Sequence, residues 1–426
     1  MSDTIIHDHG GDGIDRRGFL KCMAWAGTGA LWAMHGGVLR SMPLGASADP
    51  GGARDAELVF AQLSDSHIGF AKAANPNVTA TLQEAVDRVN RLPRRPAFVL
   101  HTGDISQLSK ATEFDTADQV LKGLRTDRVW FVPGEHDVLE DNGKQYLERY
   151  GRKTQGDGWY SFDHSGVHFV GLVNVLNLKA GGLGNLGAEQ IAWLRRDLAR
   201  RSPSTPIVVF AHVPLWTVYP DWGWGTEDSG QALELLKRFG PVTVLNGHIH
   251  QVMQKVEGNV AFHTAMSTAF PQPAPGTAPS PGPLTVEPER LRSLLGLTSV
   301  TYHQGHHALA IVDSALGMAP ADLAAPPALH RDSAPAVAPT AIGDALAIRI
   351  DNFSFTPPEL HVRRGGKVIW INSDDVPHLI ASADGRFPSS RALDTNDQYT
   401  MTFDQAGSYP YFCTLHPKMT GRVVVA

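Results

Sequence analysis

Between residues 57 and 315, short apolar runs alternate with amphipathic stretches. Residues 58–63 (Leu-Val-Phe-Ala-Gln-Leu), 97–101, 128–132, 207–211 and 242–245 each read as a short buried strand. Leu82, Val86 and Val89 recur at helical spacing within residues 79–92, and residues 188–198 repeat the pattern. Strand–helix alternation of this kind predicts an α/β domain. A run rich in Pro, Gly, Ala and Ser at 271–288 cannot pack a core and reads as a surface insertion. The strand-like residues 307–312 then close the domain. Residues 316–343, rich in Ala and Pro, read as an interdomain linker. From Ala345 the pattern changes to short β segments (346–350, 367–372, 398–403, 422–425) with no helix of useful length, which predicts a small β-sandwich over residues 344–426.

Composition adds constraints. The 426 residues are 42% apolar and 19% charged, with 37 basic against 43 acidic side chains and a formal net charge of −6. That mix supports packed cores. It lacks the basic face expected of a protein that grips polynucleotides, so no nucleic-acid polymer is expected as a partner. Histidine is abundant, at 19 residues, and neutral imidazole is the commonest metal ligand. The only cysteines are Cys22 and Cys413.

The first 48 residues read as an export signal. Arg16-Arg17-Gly18-Phe19-Leu20-Lys21 precedes an apolar stretch from Cys22 to Met34, and Ala46-Ser47-Ala48 forms a small-residue cleavage pattern. The apolar stretch is short for a bilayer span, so no membrane span is expected in the mature form. The arginine pair resembles twin-arginine export signals, which implies the twin-arginine translocase as a partner and a periplasmic location. Cleavage after Ala48 would leave Cys413 as the single thiol, and a lone cysteine in an exported protein needs an explanation.

In the first domain the predicted strand ends deliver metal-capable groups. Asp65 and His67 follow the first strand, Asp104 the second, Glu135-His136-Asp137 the third, His212 the next, and His248 and His250 the last. Ligands gathering at strand carboxyl ends is what an open α/β sheet offers, and Gly103, Gly134 and Gly247 allow tight turns there. Carboxylate and imidazole without thiolate suit Fe, Mn or Zn. Two ions about 3.5–4 Å apart could share a carboxylate and a solvent oxygen, and a metal-bound hydroxide would then attack phosphorus in line.

The ordered blocks D-x-H, G-D, Gly134-Glu135-His136-Asp137, a lone His and G-H-x-H resemble the calcineurin-like metallophosphoesterase family over about 250 residues. The resemblance implies the family's α/β/β/α sandwich over 57–315. It implies Asp65, His67 and His250 at one metal, Glu135, His212 and His248 at the other, and Asp104 as the bridge. It also implies His136 as general acid, oriented by Asp137. The third block departs from the family, which carries Asn where this chain has Glu135. A carboxylate there adds charge, which should grip the metal more firmly and repel an anionic substrate. His101 reads as a buried strand residue, and His303, His306 and His307 as surface or strand-edge residues rather than pocket lining. The tryptophan-rich residues 216–224 fit either an aromatic wall for a substrate or a packed loop.

In the C-terminal module, His378, Cys413, His416 and Met419 supply two imidazoles, a thiolate and a thioether, the ligand set of a blue-copper site with a weak axial Met. The Cys-x-x-His-x-x-Met loop resembles the cupredoxins, the amicyanin branch in particular, over roughly the last 80 residues. It accounts for the lone thiol. The combined reading is an exported dinuclear-metal phosphoesterase of small phosphoesters, bearing a type 1 copper electron-transfer domain with a redox partner protein. The alternative reading is a periplasmic copper electron-transfer protein whose phosphoesterase domain is weak or inactive.

Overall fold

The computed structural model describes residues 30–35, 38–43, 57–126, 128–176, 178–303, 309–317, 341–342 and 345–426. The first sheet contains β1 (Ala30–His35), β2 (Val38–Pro43), β3 (Glu57–Leu63), β4 (Val99–His101) and β5 (Val129–Phe131). The second contains β6 (Tyr160–His164), β7 (Val167–Gly171), β8 (Ile207–Ala211), β9 (Val242–Asn246), β10 (Gln254–Glu257) and β11 (Val260–Thr264). The chain then returns to the first sheet through β12 (Gly296–His303) and β13 (Leu309–Ala315), giving orders β1-β2-β13-β12-β3-β4-β5 and β10-β11-β9-β8-β7-β6.

Three apolar clusters account for the layering. Phe60, Phe98, Leu100, Phe169, Phe210 and Val300 fill the space between the sheets. Helices α1 (Val78–Asn90) and α2 (Ala111–Leu121) cover the outer face of the first sheet with Leu82, Val86, Phe114 and Ala117. Helices α4 (Ala188–Ala199) and α5 (Ser229–Leu236) cover the second with Ile191, Leu194, Ala232 and Leu236. The helix α3 (Lys144–Tyr150) lies between the two halves in sequence, and α6 (Pro288–Leu294) follows the 271–288 segment, which holds no other helix or strand. This is the expected α/β/β/α sandwich.

The β-strands expected at 97–101 and 128–132 are only three residues long, the first starting at Val99 and the second losing one residue at each end. Part of the apolar stretch expected in the leader is strand: β1 and β2 form a hairpin that reaches β13 through Val312 opposite Arg40. The arginine pair, Cys22, the cleavage motif, His306, His307 and residues 318–340 lie outside the described residues. Among the described residues no helix is long and apolar enough to cross a membrane.

The C-terminal domain is a two-sheet sandwich. One sheet orders β14 (Ala341–Ile342), β15 (Ala345–Ile350), β18 (Gly366–Asn372) and β20 (Gln398–Phe403), with β16 (Phe355–Thr356) paired to β15. The other orders β17 (Glu359–Val362), β22 (Thr420–Val425), β21 (Gly407–Cys413) and β19 (Ile380–Ser382). Alternation puts Ile348, Ile350, Val368, Trp370, Tyr411 and Val423 between the sheets.

The two domains touch. Lys72 pairs with Asp394 at 3.5 Å, Ser280 Oγ donates to Asn352 Oδ1 at 2.6 Å, and the Gly181 N–H donates to the Pro417 carbonyl. Leu139 of the first domain packs on Leu379, Ala381 and Phe412 of the second.

Candidate functional site

Loops at the strand ends of the first domain converge between the two sheets. Asp65, His67, Asp104, His248 and His250 all hold left-handed backbone, with φ of 52°, 41°, 51°, 70° and 53°. Non-glycine residues rarely adopt that region, and such strain clusters at functional sites. The loops also approach one another too closely for side chains at their glycines. At Gly103 (φ +94°) a Cβ would lie 2.5 Å from His212 Nδ1, and at Gly134 it would collide with the Asp104 carboxylate.

The site residues form two groups. Asp65, His67 and His250 are one, Glu135, His212 and His248 the other, and Asp104 reaches both, with Oδ2 3.5 Å from His67 Nε2 and 3.3 Å from His212 Nε2. In four imidazoles Nδ1 is anchored on an oxygen. His67 faces Gln107 Oε1 at 2.9 Å, His136 the Gln107 carbonyl at 2.8 Å, His212 the Thr102 carbonyl at 2.7 Å and His250 the Phe270 carbonyl at 2.6 Å. A proton on each Nδ1 leaves the Nε2 lone pair for the centre.

The residues fit cations. With Nδ1 so anchored, His67 Nε2 and His250 Nε2 confront each other at 3.2 Å as two lone pairs, an arrangement that needs a positive ion between them. Glu135 Oε2 lies 3.0 Å from His212 Nε2, and Oε1 lies 2.9 Å from His248 Nδ1. Yet Glu135 Oε2, His212 Nε2 and His248 Nδ1 are buried and lack aligned hydrogen bonds. Buried polar atoms without partners are costly unless something else satisfies them. Burial would raise the Glu135 carboxyl, but the imidazoles of His248 and His212 hold it well below the usual carboxylate range. Burial drives His67 down to about 3, so it is a neutral ligand.

One expected role is corrected. Asp137 does not orient His136. Its carboxylate accepts from the backbone N–H of Ile105, Ser106 and Gly134 and from Ser106 Oγ, at 2.8–3.1 Å. Consecutive residues of the 3-10 turn Glu135–Asp137 point in different directions, so Asp137 braces the two loops from behind. Burial, aided by the Asp104 charge, pushes it up to about 6. The His136 ring is oriented instead by the Gln107 carbonyl, which the sequence reading missed. His101 is buried as expected, bonded to Ser66 Oγ at 2.7 Å. His303 is exposed at the end of β12 and lies outside the cleft lining. The tryptophan segment divides: Trp216 packs on Phe262 in the core, whereas Trp222 and Trp224 line the cleft.

In the second domain, β21 ends on Cys413 and the following turn brings back His416, while His378 arrives before β19. Cys413 Sγ lies 3.5 Å from His378 Nδ1 and 3.7 Å from His416 Nδ1, and the two nitrogens are 3.3 Å apart. The centre of that triangle is about 2 Å from each atom, the length of a metal–ligand bond. The Met419 carbonyl accepts from the Cys413 N–H at 3.0 Å, keeping this buried thioether in the same loop. Burial opposes ionisation of Cys413, but His378 draws its thiol below the ordinary value. Asp374, another residue the sequence reading missed, accepts from His378 Nε2 at 2.9 Å and leaves Nδ1 facing the centre.

Residues 58–252 match the calcineurin-like phosphoesterase family, and residues 344–426 the copper-binding proteins of the plastocyanin/azurin family. The chain joins a calcineurin-like phosphoesterase domain to a plastocyanin/azurin-family copper-binding domain. Amicyanin of Paracoccus versutus is 37% identical over 95 residues, 21% of this chain and 72% of that protein. A serine/threonine-protein phosphatase of Danio rerio is 27% identical over 223 residues, 45% of this chain and 70% of that protein. A 3',5'-cyclic adenosine monophosphate phosphodiesterase of Pseudomonas aeruginosa is 28% identical over 236 residues, 53% of this chain and 81% of that protein. The phosphoesterase domain is thus phosphodiesterase-like, its family implies divalent metals, and the copper-binding domain implies copper.

Proposed function

We propose that this protein is an exported dinuclear-metal phosphodiesterase that hydrolyses small phosphoesters, with a type 1 copper electron-transfer domain attached. The observation that carries the reading is Asp104 Oδ2 standing between two imidazole–carboxylate groups, one with His67 Nε2 facing His250 Nε2 at 3.2 Å and the other with Glu135 Oε2, His212 Nε2 and His248 Nδ1 buried without hydrogen-bond partners. Asp65, His67 and His250 would hold one ion, Glu135, His212 and His248 the other, with Asp104 shared. Bound there, the ions supply an activated nucleophile and absorb charge on the phosphoryl oxygens. His136, anchored through Nδ1 on Gln107, keeps its other ring edge at the floor of the cleft, where it can pass a proton to the leaving alcohol. His378, Cys413, His416 and Met419 would hold copper. The Arg16-Arg17 signal supports a periplasmic location.

Metal analysis with hydrolysis of bis(p-nitrophenyl) phosphate tests the reading. The expected result is two ions plus one copper per chain, chelator-sensitive turnover restored by Mn(II) or Fe, and an intense visible thiolate-to-copper band. Full metal occupancy without turnover on any phosphoester would leave only the copper half standing. N-terminal sequencing of the exported protein tests cleavage after Ala48, which recovery of Cys22 would overturn.

A further inference from the structure

The cleft above the candidate dimetal floor is not built by the phosphoesterase domain alone. A cavity of about 280 Å³ has His67, Asp104, Glu135, His136, His248 and His250 at its base. One side is Trp222, Trp224 and Phe270 from the first domain. The other is Phe353, Leu415 and His416 from the second, continued through Pro417 and Lys418. His416 is therefore both a candidate copper ligand and a wall of the hydrolytic pocket.

Phe353 is held in that wall deliberately. Asn352 and Phe353 both have left-handed backbone, at φ 52° and 54°. For a bulky residue this is an outlier that only a surrounding structure can enforce. The enforcing group is Asp374, whose carboxylate accepts from the Asn352 N–H and, at 2.9 Å, from the Phe353 N–H. The ring lies edge-on to His416, centroids 4.5 Å apart. Ser280 of the proline-rich insertion donates to Asn352 and ties the same turn to the phosphoesterase domain.

We propose that the copper-binding domain is the outer wall of the substrate pocket and sets its selectivity, with Phe353 as the specificity-determining residue. The cavity then admits phosphoesters whose spectator alcohol is compact, from methyl to a single aromatic ring. It excludes polynucleotide chains and long acyl chains. The inference rests on the hydrolase reading above and adds the identity of the selecting wall.

The test uses the full metal-loaded chain and three diesters that share a p-nitrophenolate leaving group but differ in the other ester: methyl, p-nitrophenyl and thymidine 5'-yl. Equal leaving groups keep the departing alcohol constant, and intrinsic reactivity cancels when each ester is compared between variant and wild type, so the change in kcat/KM on substitution reports fit. The wild type should favour the two compact esters. Phe353→Ala should raise the ratio of thymidine to methyl ester about fivefold or more, as removal of several wall atoms does in a shaped pocket, and Phe353→Leu should fall between. Retention of the visible copper band shows that each variant is folded. Inorganic phosphate provides a second readout: as a competitive inhibitor it should also shift the Cu(II) absorption or EPR spectrum, because His416 borders the space it fills. An equal response of all three esters to Phe353→Ala, or a copper spectrum unmoved by inhibitory phosphate, overturns the wall. Absence of turnover on all three esters overturns the hydrolase reading beneath it.

Discussion

Asp374 joins the two halves of the copper domain's function, and its replacement by Asn is an informative perturbation. The carboxylate is 9% exposed and receives three donors: the N–H groups of Asn352 and Phe353, and His378 Nε2 at 2.9 Å. An amide of the same shape has one acceptor oxygen and an NH2 group, so at least one donor must face another donor. A hydrogen bond to a charged group is worth about 1.5–3 kcal/mol. Loss of such an outer partner of a metal-binding His typically costs about 10–100-fold in metal affinity, roughly 1.4–2.7 kcal/mol. The two scales agree.

Asp374→Asn should therefore bind Cu(II) about 10–100-fold more weakly, measured by competition with a chelator while the visible band is followed. Because the lost charge favours Cu(II) over Cu(I), the midpoint potential should rise, by about 59 mV for each tenfold difference between the two states. Burial raises the Asp374 carboxyl, but the hydrogen bond and charge of His378 and the N–H donors of Phe353 and Asn352 together outweigh it and leave it below its ordinary 3.8. A depressed carboxyl contributes stability that is present above the unfolded value and lost as pH falls through the folded one. The metal-free wild type should accordingly lose its stability advantage over Asp374→Asn below about pH 4. A variant with an intact fold and Cu(II) affinity within twofold of wild type would refute the claim that this hydrogen bond holds His378.

Other perturbations test the hydrolytic half. Glu135→Asn should keep both metals, the amide oxygen replacing the carboxylate as ligand, and raise kcat/KM on simple diesters about three- to tenfold, since removing a unit charge a few Å from an anion is worth roughly 1 kcal/mol; metal content falling to one would show that an amide oxygen cannot replace the carboxylate there. Gly134→Ala keeps an ordinary φ but puts a Cβ into the Asp104 carboxylate; it should lose at least one metal and about 100-fold or more of activity without loss of far-UV circular dichroism. His168 is fully buried between Asp163 at 2.9 Å and Asp197 at 2.7 Å; burial raises both carboxyls, but His168 together with Arg201, and Ser161 at Asp197, holds them below their ordinary range. His168→Leu should lower stability at pH 7 by about 1–2 kcal/mol, chiefly through the half-buried Asp197, and urea titrations should show the deficit disappearing as pH falls through the folded values of these carboxyls.

Much of this was legible in the chain because metal ligation confines residue type and spacing together. Asp65 and His67, or His248 and His250, sit two apart on turns whose strands are apolar runs, so motif and strand end announce each other. The cupredoxin loop is still more compact, with Cys413, His416 and Met419 within seven residues. Groups that act through oxygen acceptors were not legible. Gln107 supports two imidazoles, one by its side chain and one by its carbonyl, and backbone acceptors leave no mark on sequence. Asp374 stands beside Asp375, and nothing in the sequence says which one turns inward. Asp137 was misread because it adjoins His136, although neighbours on a 3-10 turn diverge. The hairpin β6–β7, across which Phe162 and Phe169 stack, was missed. The contact between the domains had no sequence signal at all.

That contact is modest in energy and effective through linkage. The Lys72–Asp394 pair is partly exposed on both sides, and such pairs contribute about 0–1 kcal/mol. Leu139 adds one apolar side chain against a small cluster, and the remaining polar contacts are few. Two separate chains meeting through this surface would barely associate. Ala315 and Ala345, however, belong to one chain, and a covalent connection raises the local concentration of one domain around the other to the order of millimolar. A docking constant in the millimolar range is then enough to keep the wall populated much of the time. The same arithmetic requires reciprocity: a ligand that fits only the closed cleft must strengthen the docking by the factor by which docking strengthens its binding.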